Sequence, residues 1–460
     1  MSVPDTIPAR LQEAGRARGA APAYHEKVEG NWKTTSWADF AAQVRQSARA
    51  LCTLGFEPGH TVCILGFNRP EWVIMDVAAM TAGGAPAGIY TTCSPPEVAY
   101  IVNHSEAHIV LLENEGQWKK VLEKLDDLPH LKHVVMMRPS GRIDHPMVMS
   151  WEQFLAKGDQ TPDATVDERL KGLKAEDLAT LIYTSGTTGP PKAVMLSHRN
   201  LTWTADVARQ IVSLTQDDCS VSYLPLSHIA EQMFTIHAPI TARGSIWYAE
   251  SMEKLKDNLV EAQPTVIFGV PRVWEKIHAG LTARLREATG VRAALVSWAR
   301  GVATQVDLLR ASDKQPGALL NLQYSIASKL VFSKIKAALG LGRARVMVSG
   351  AAPIGKDVLD FFSSLDLPIC EVYGQSEDSG PTSFNLPNRR KSGSVGPAIP
   401  GVEIRLAPDE EIHVKGPNVF MGYYKDAQAT AETLQDGWLL SGDLGKFDSE
   451  GFLYITGRKK

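Results

Sequence analysis

The period of the apolar residues changes repeatedly along this 460-residue chain, and that alternation limits the fold more than any other feature of it. Residues 61–65, 107–112 and 133–137 are short apolar runs, whereas residues 36–56 place Phe40, Val44, Ala48 and Leu51 at helical spacing before a stop at Gly55. Residues 70–82 and 95–103 are helical stretches between such runs, and the pattern predicts an α/β fold with a largely parallel sheet. Runs at 179–183, 220–223, 265–268, 345–348 and 369–373 repeat it, each leading into a turn and then usually a helix. Two lobes with largely parallel sheets flanked by helices follow, at residues 1–175 and 176–392. From 271 to 341 the pattern is long and helical, with Trp274, Ile277, Leu281 and Leu285 on one face and a polar break near 313–317, which suits a cap over a pocket. Short strands with close Gly and Pro turns at 402–406, 411–414 and 452–456 predict a small β-rich, barrel-like third lobe over 393–456.

Composition narrows the function classes. Lys and Arg number 48 against 51 Asp and Glu, and no long basic run tracks a phosphate backbone, so nucleic acid is excluded as the expected partner. Cys52, Cys63, Cys93, Cys219 and Cys370 are odd in number and form no CxxC pair, which argues against a disulfide framework and a zinc site. The first twenty residues carry Asp5, Arg10, Glu13, Arg16 and Arg18 without an apolar central run, and the apolar stretch 73–90 is broken by Asp76, Gly83, Gly84 and Pro86. The expectation is a cytoplasmic protein without a transmembrane segment; peripheral membrane contact stays open.

The segment that carries most chemistry is LIYTSGTTGPPKAVMLSH, residues 181–198. A buried strand there runs into a turn holding Thr184, Ser185, Gly186, Thr187, Thr188, Gly189 and Lys192. A polyphosphate needs many hydrogen-bond donors at close range: glycines let backbone N–H groups approach, and hydroxyls and an ammonium add the rest. The GxxxxGK[ST] spacing is absent, so this is not a Walker A loop.

This string closely resembles the phosphate-binding signature of the acyl-CoA synthetase, luciferase and peptide-synthetase adenylation superfamily. Further pieces fall in that superfamily's order: RVMVSGAAPI at 345–354 resembles its adenine-side loop, EVYGQSED at 371–378 its Tyr-Gly-x-x-Glu element, GWLLSGDLG at 437–445 its ribose-binding motif, and TGRKK at 456–460 the lead-in to its hinge. The resemblance implies the fold of an adenylating enzyme's N-terminal domain, with a hinge beginning at 457–460 and the C-terminal domain of the same polypeptide absent. Tyr373 would stack on adenine against Gly350, Ala351 and Ala352, with Gly374, Gln375 and Ser376 completing the nucleotide contacts. Asp443 would accept hydrogen bonds from the ribose hydroxyls, and Arg458 would contact ribose or phosphate. Glu377 and Thr184 would hold Mg²⁺, a hard cation that seeks oxygen ligands. Thr184, Lys192, His228 and Glu377 would form the catalytic set around ATP.

Residues 223–232, YLPLSHIAEQ, resemble the superfamily's acyl-pocket segment and would bring His228 near the substrate carboxylate. A histidine between apolar residues is also commonly a satisfied core group, and Glu231 reads either as its support or as a helix-start acid. The implied activity is ATP-dependent conversion of a carboxylic acid to an acyl-adenylate and then to acyl-CoA, with ATP, Mg²⁺ and coenzyme A. Leu224, Pro225, Leu226 and Ser227 offer no carboxylate for an amino group, which favours an uncharged tail. YGQSEDSGP resembles the long- and very-long-chain "bubblegum" branch of fatty acyl-CoA synthetases. The late lysine that approaches the α-phosphate in the superfamily has no counterpart up to Lys460, so full thioester formation is expected to be impaired. A medium-chain or aryl-acid ligase, or a non-catalytic nucleotide- or acyl-binding module, is the alternative.

Overall fold

A computed structural model describes residues 4–184 and 189–459. Helix Trp37–Thr53 starts where Ser36 accepts a hydrogen bond from the Asp39 N–H at 3.1 Å, and just past its end Gly55 turns the chain at φ +80°. Helix Pro95–His104 carries a capping box of Ser94 and Glu97, and helix Pro70–Thr81 begins with proline in its first turn.

The strands assemble into four sheets flanked by helices, a mixed α/β architecture. The largest runs in the order 422–423, 192–197, 178–184, 85–89, 61–65, 109–112, 133–136, 148–150. From Leu178–Thr184 to Val148–Ser150 its neighbours are parallel, and Lys192–Ser197 and Gly422–Tyr423 add on antiparallel. The central strands Thr61–Leu65 and Ala85–Ile89 are wholly buried, as a parallel sheet covered on both faces requires.

A second sheet joins Cys219–Ser222, Ser245–Tyr248 and Pro22–Val28 in parallel, with Asn31–Ser36 antiparallel at the edge. The third orders 266–269, 346–349, 369–373 and 383–384, the first three parallel. The fourth, residues 403–458, is antiparallel throughout. Trp274 locks the third sheet from the side: its indole is fully buried and donates to the carbonyls of Gly269 (3.0 Å) and Val348 (3.2 Å). Burying a side chain of that size contributes on the order of 3 kcal/mol.

Sheet membership crosses the sequence boundary at 175. Leu178–Thr184 and Lys192–Ser197 complete the sheet of the first lobe, while Pro22–Val28 completes that of the second. The strand Leu178–Thr184 also returns as a β-hairpin rather than feeding a helix. Local periodicity predicts that a segment is a strand but not which distant strand it pairs with.

Candidate functional site

Leu178–Thr184 and Lys192–Ser197 pair antiparallel, with Thr184 in register with Lys192. Ser185, Gly186, Thr187 and Thr188 lie outside the described residues. Gly189 takes φ +112°, a conformation that only glycine adopts without strain, and it is exposed with Pro190. The half-buried Thr184 points its hydroxyl towards the Lys192 carbonyl at 3.5 Å.

Lys192 is exposed and extends its ammonium to 5.0 Å from the centroid of the Tyr423 ring. The Tyr423 hydroxyl donates to Glu377 Oε1 at 2.7 Å. This chain of contacts links the hairpin to Glu377. Burial pushes the Glu377 carboxyl above its ordinary range, against the pull of the Tyr423 bond and of the Arg458 and Lys192 charges. A cation arriving at Glu377 would restore its charge, and a carboxylate in that condition suits a metal-holding role.

The loop bearing Glu377 is pinned by Asp378, which accepts from Gln375 N–H at 2.8 Å and from the Thr382 hydroxyl. Burial pushes the Asp378 carboxyl up to about 8. Gly374 is obligatory, because a Cβ there would run into the Gly380 carbonyl. Ser376 is buried, and the Gln375 side-chain nitrogen is buried without a hydrogen-bond partner among the described residues.

On the neighbouring strand Val346–Ser349 the hydroxyl of Ser349 is likewise buried and unpaired. Gly350 follows it, and a Cβ on Gly350 would lie 2.5 Å from Val372 Cγ1, so only glycine lets this loop lie against the strand that ends at Tyr373. Ala351 sits at φ +68°, and Ala351 and Ala352 are exposed. Two orphaned polar groups beside an open backbone loop fit a ligand that carries both donors and acceptors.

Asp443 approaches from the fourth sheet. It accepts from the Tyr373 hydroxyl at 2.8 Å and lies 3.4 Å from Arg458 Nε, its partner in the ladder between Trp438–Phe447 and Leu453–Arg458. Behind it, buried Glu411 accepts from Gly442 N–H (3.0 Å) and Lys459 Nζ (2.7 Å). Burial opposes ionisation of Glu411, yet those donors outweigh it and hold the carboxyl below its usual range. Asp443, Tyr373, Glu377, Lys192 and Arg458 therefore converge from the first, third and fourth sheets.

Among the described residues no hydrogen bond or ion pair joins His228 to this cluster. Its Nδ1 accepts from Ala230 N–H at 3.1 Å and caps the helix Ile229–Gln232, and burial lowers its basicity. The proton of the neutral ring is thereby left on Nε2. Glu231 has no bond to it. Instead Glu231 Oε1 accepts from Thr235 Oγ1 (2.8 Å), Ser222 Oγ (3.0 Å), Tyr223 N–H (3.0 Å) and Asn68 Nδ2 (3.2 Å), and burial raises its carboxyl to about 8. Ser227 packs over Gly88 so closely that a Cβ on Gly88 would lie 2.8 Å from Ser227 Cα.

Three residues of this neighbourhood escape sequence reasoning: Tyr423, Asp378 and Glu411. Asp378 sits inside the recognised EVYGQSED string beside the acid that drew attention. Tyr423 belongs to no motif, and only its two-residue pairing with Val194 places it over Lys192.

The fold and this convergence define a nucleotide-binding class, and the chain belongs to the AMP-binding enzyme family, whose model matches residues 11–424. Among its relatives are the long-chain-fatty-acid–CoA ligase ACSBG2 of Xenopus laevis, 41% identical over 99% of this chain, and that of Homo sapiens, 39% identical over 99%. ACSBG1 of Homo sapiens is 35% identical over the whole chain. The chain spans 63%, 70% and 64% of the length of these three relatives. The resemblance drawn from the motifs is thus borne out. Among solved structures, the inhibitor-bound N-terminal domain of FACL13 from Mycobacterium tuberculosis superposes with a TM-score of 0.75 at 19% identity, covering 99% of this chain and all of that one. ATP-bound MatB from Rhodopseudomonas palustris gives 0.74 at 24% identity over 99% of this chain and 79% of its own. Both support the fold expected of an adenylating enzyme's N-terminal domain.

Proposed function

We propose that this chain carries the adenylating site of a long-chain fatty acid:CoA ligase, which joins a fatty acid to AMP and, in the whole polypeptide, passes the acyl group to coenzyme A. The observation that carries the reading is the meeting of Lys192, Tyr423 and Glu377 with Tyr373, Asp443 and Arg458. In this reading ATP lies with adenine between Tyr373 and the loop Gly350, Ala351 and Ala352. Its ribose hydroxyls take Asp443, and its phosphates meet Thr184, Gly189, Lys192 and Arg458, with Ser185, Gly186, Thr187 and Thr188 as further proposed contacts. Gln375 and Ser349 supply the polar groups left unpaired inside the cleft, and Gly374 and Ser376 shape its wall.

The carboxylate of the acid attacks the α-phosphorus, the bond to the bridging oxygen breaks, and pyrophosphate leaves. Carboxylate and triphosphate repel, so alignment and charge neutralisation carry the step rather than a protein nucleophile. Lys192 contributes a point charge at the phosphates. Glu377 and the Thr184 hydroxyl would hold Mg²⁺, which supplies charge screening between phosphate oxygens. Among the described residues no three His, Cys, Asp or Glu side chains converge as a metal cage.

His228 offers its Nε2–H to the acid while its Nδ1 stays committed to the helix cap. The acyl tail runs along residues 223–232. The proposed lobes are 1–175, 176–392 and 393–456 with a hinge from 457, and the proposed setting is the cytoplasm. No helix among the described residues is long and apolar enough to cross a membrane.

The test is pyrophosphate exchange into ATP, with thermal shift, across saturated acids of increasing length and a set of aryl acids. Exchange that peaks with long-chain acids is the expected result. Absence of any ATP-dependent stabilisation sinks the site, and a preference for aryl or medium-chain acids sinks the substrate class.

A further inference from the structure

Residues 290–339 form a helical hairpin: helix Gly290–Arg310, a turn, then helix Ala318–Ala327 continuing through a wide π-helical turn at Ser328–Phe332 into Ser333–Leu339. Ala299, Val302, Ala303 and Val306 of the first arm pack on Ala327, Val331 and Phe332 of the second, a small core of their own. That core uses one face of the second arm. On the other, Leu319, Leu322, Ile326 and Leu330 are 72, 59, 44 and 43% exposed. Their steps of three, four and four residues align them in one row. Leu308 and Trp298 on the first arm are exposed as well. Scattered exposed leucines are ordinary, but a four-residue row along one helix is a surface that something covers.

Charge says what covers it. The chain as a whole is at −3, yet residues 284–345 hold eleven Lys and Arg against three Asp and Glu. Arg284, Arg286, Arg292, Lys314, Lys329 and Lys334 are exposed and have no acidic partner within 4.0 Å among the described residues. Lys329 and Lys334 lie on the arm that carries the row, and Lys314 lies in the turn that precedes it. Exposed leucines bordered by unpaired cations are the pattern of a helix that lies in the interface of an anionic bilayer. A second copy of the chain is disfavoured, because a symmetric pairing through this row would set the same cations face to face.

We propose that this hairpin docks the protein on anionic lipid membranes, with Leu319, Leu322, Ile326 and Leu330 entering the acyl boundary and Lys314, Lys329 and Lys334 meeting lipid phosphates. The inference stands on the hairpin alone and does not depend on the proposed activity.

Flotation with vesicles of phosphatidylcholine, with and without phosphatidylserine, tests it on the full chain. The protein floats with phosphatidylserine vesicles at low salt and dissociates as salt rises. A Leu322→Glu/Ile326→Glu variant binds at least ~10-fold more weakly, since two apolar contacts are lost and two like charges gained. A Lys329→Glu/Lys334→Glu variant loses the salt-sensitive part. All four sites are exposed, so circular dichroism should match wild type. Failure of the wild-type chain to float with anionic vesicles, or equal flotation of the leucine variant, overturns the proposal. So does a dimer in light scattering that Leu322→Glu/Ile326→Glu abolishes, which would give the row to a second copy.

Discussion

The cluster around Lys192 and Glu377 and the cluster around Glu231 are both built from polar side chains, but they are finished differently. At Glu231 one carboxylate oxygen collects four donors, from Asn68, Ser222, Tyr223 and Thr235, and all four come from the protein itself; among the described residues, Asn68 Oδ1 and Gln232 Oε1 are the buried atoms left unpaired beside it. At the proposed nucleotide cluster the contact found for the Lys192 ammonium among the described residues is an aromatic face, Gln375 and Ser349 hold unpaired groups, and Arg458 is largely exposed. A carboxylate whose donors all come from the protein holds a segment in place, and a cation with no anionic partner leaves room for a ligand. The same residue types therefore read as scaffold in one place and as site in the other.

That contrast is testable, beginning with the largest effect. Lys192→Ala should slow pyrophosphate exchange by about 10²–10³-fold, as the loss of a fixed charge at a phosphoryl centre does, while thermal stability changes little. An unaltered exchange rate would remove Lys192 from the site. Glu231→Ala should do the converse: four donors lose their acceptor, and urea denaturation should show a loss of about 3 kcal/mol. Weakened ATP binding in a fully stable Glu231→Ala protein would break the comparison from the other side.

Protonation sharpens it further. Because burial raises Glu231 from 4.5 to about 8, the folded state binds its proton more tightly than the unfolded chain. Its contribution is complete below about 4.5 and is lost as pH rises to about 8. Asp378 and Glu371, raised to about 8 and about 7, add slopes of the same sign. Glu231→Gln keeps a neutral group in place and should flatten part of the fall in melting temperature between those limits. An undiminished slope would mean that Glu231 is ionised in its network. The smallest effect is expected from Tyr373→Phe, which removes one hydrogen bond to Asp443, worth about 1 kcal/mol and thus about five-fold in nucleotide affinity by calorimetry. A loss of a hundred-fold or more would assign the hydroxyl a direct ligand contact.

Much of this was legible in the chain itself. Thr61–Leu65 and Ile369–Tyr373 coincide with the runs read from the sequence, and the helical stretch from 271 to 341 breaks at 311–317, where its polar residues cluster. Strand Ala85–Ile89 was not legible: Ala-Pro-Ala-Gly-Ile lacks the β-branched density of a strand, and burial between two parallel neighbours overrides its weak propensity. The hairpin of Pro22–Val28 and Asn31–Ser36 was hidden by its polar edge strand. The contiguous strings supply Lys192, Tyr373, Glu377, Asp443 and Arg458 of the cluster, whereas Tyr423 depends on a pairing across more than two hundred residues. Glu231 and His228 show the limit of motif reading, since proximity in sequence suggested a pair that the hydrogen bonds do not make.

The two-residue strand Gly422–Tyr423 bonds to the edge of Lys192–Ser197, and Lys425 nearby reaches Glu106 at 2.8 Å and the His104 carbonyl at 3.1 Å. In the other direction Phe420 N–H donates to the Glu377 carbonyl at 2.8 Å. This small splice works like a rivet through three plates. It ties the strand that begins at Lys192 to the loop that bears Glu377 through main-chain hydrogen bonds, so the spacing between those two residues is held by backbone.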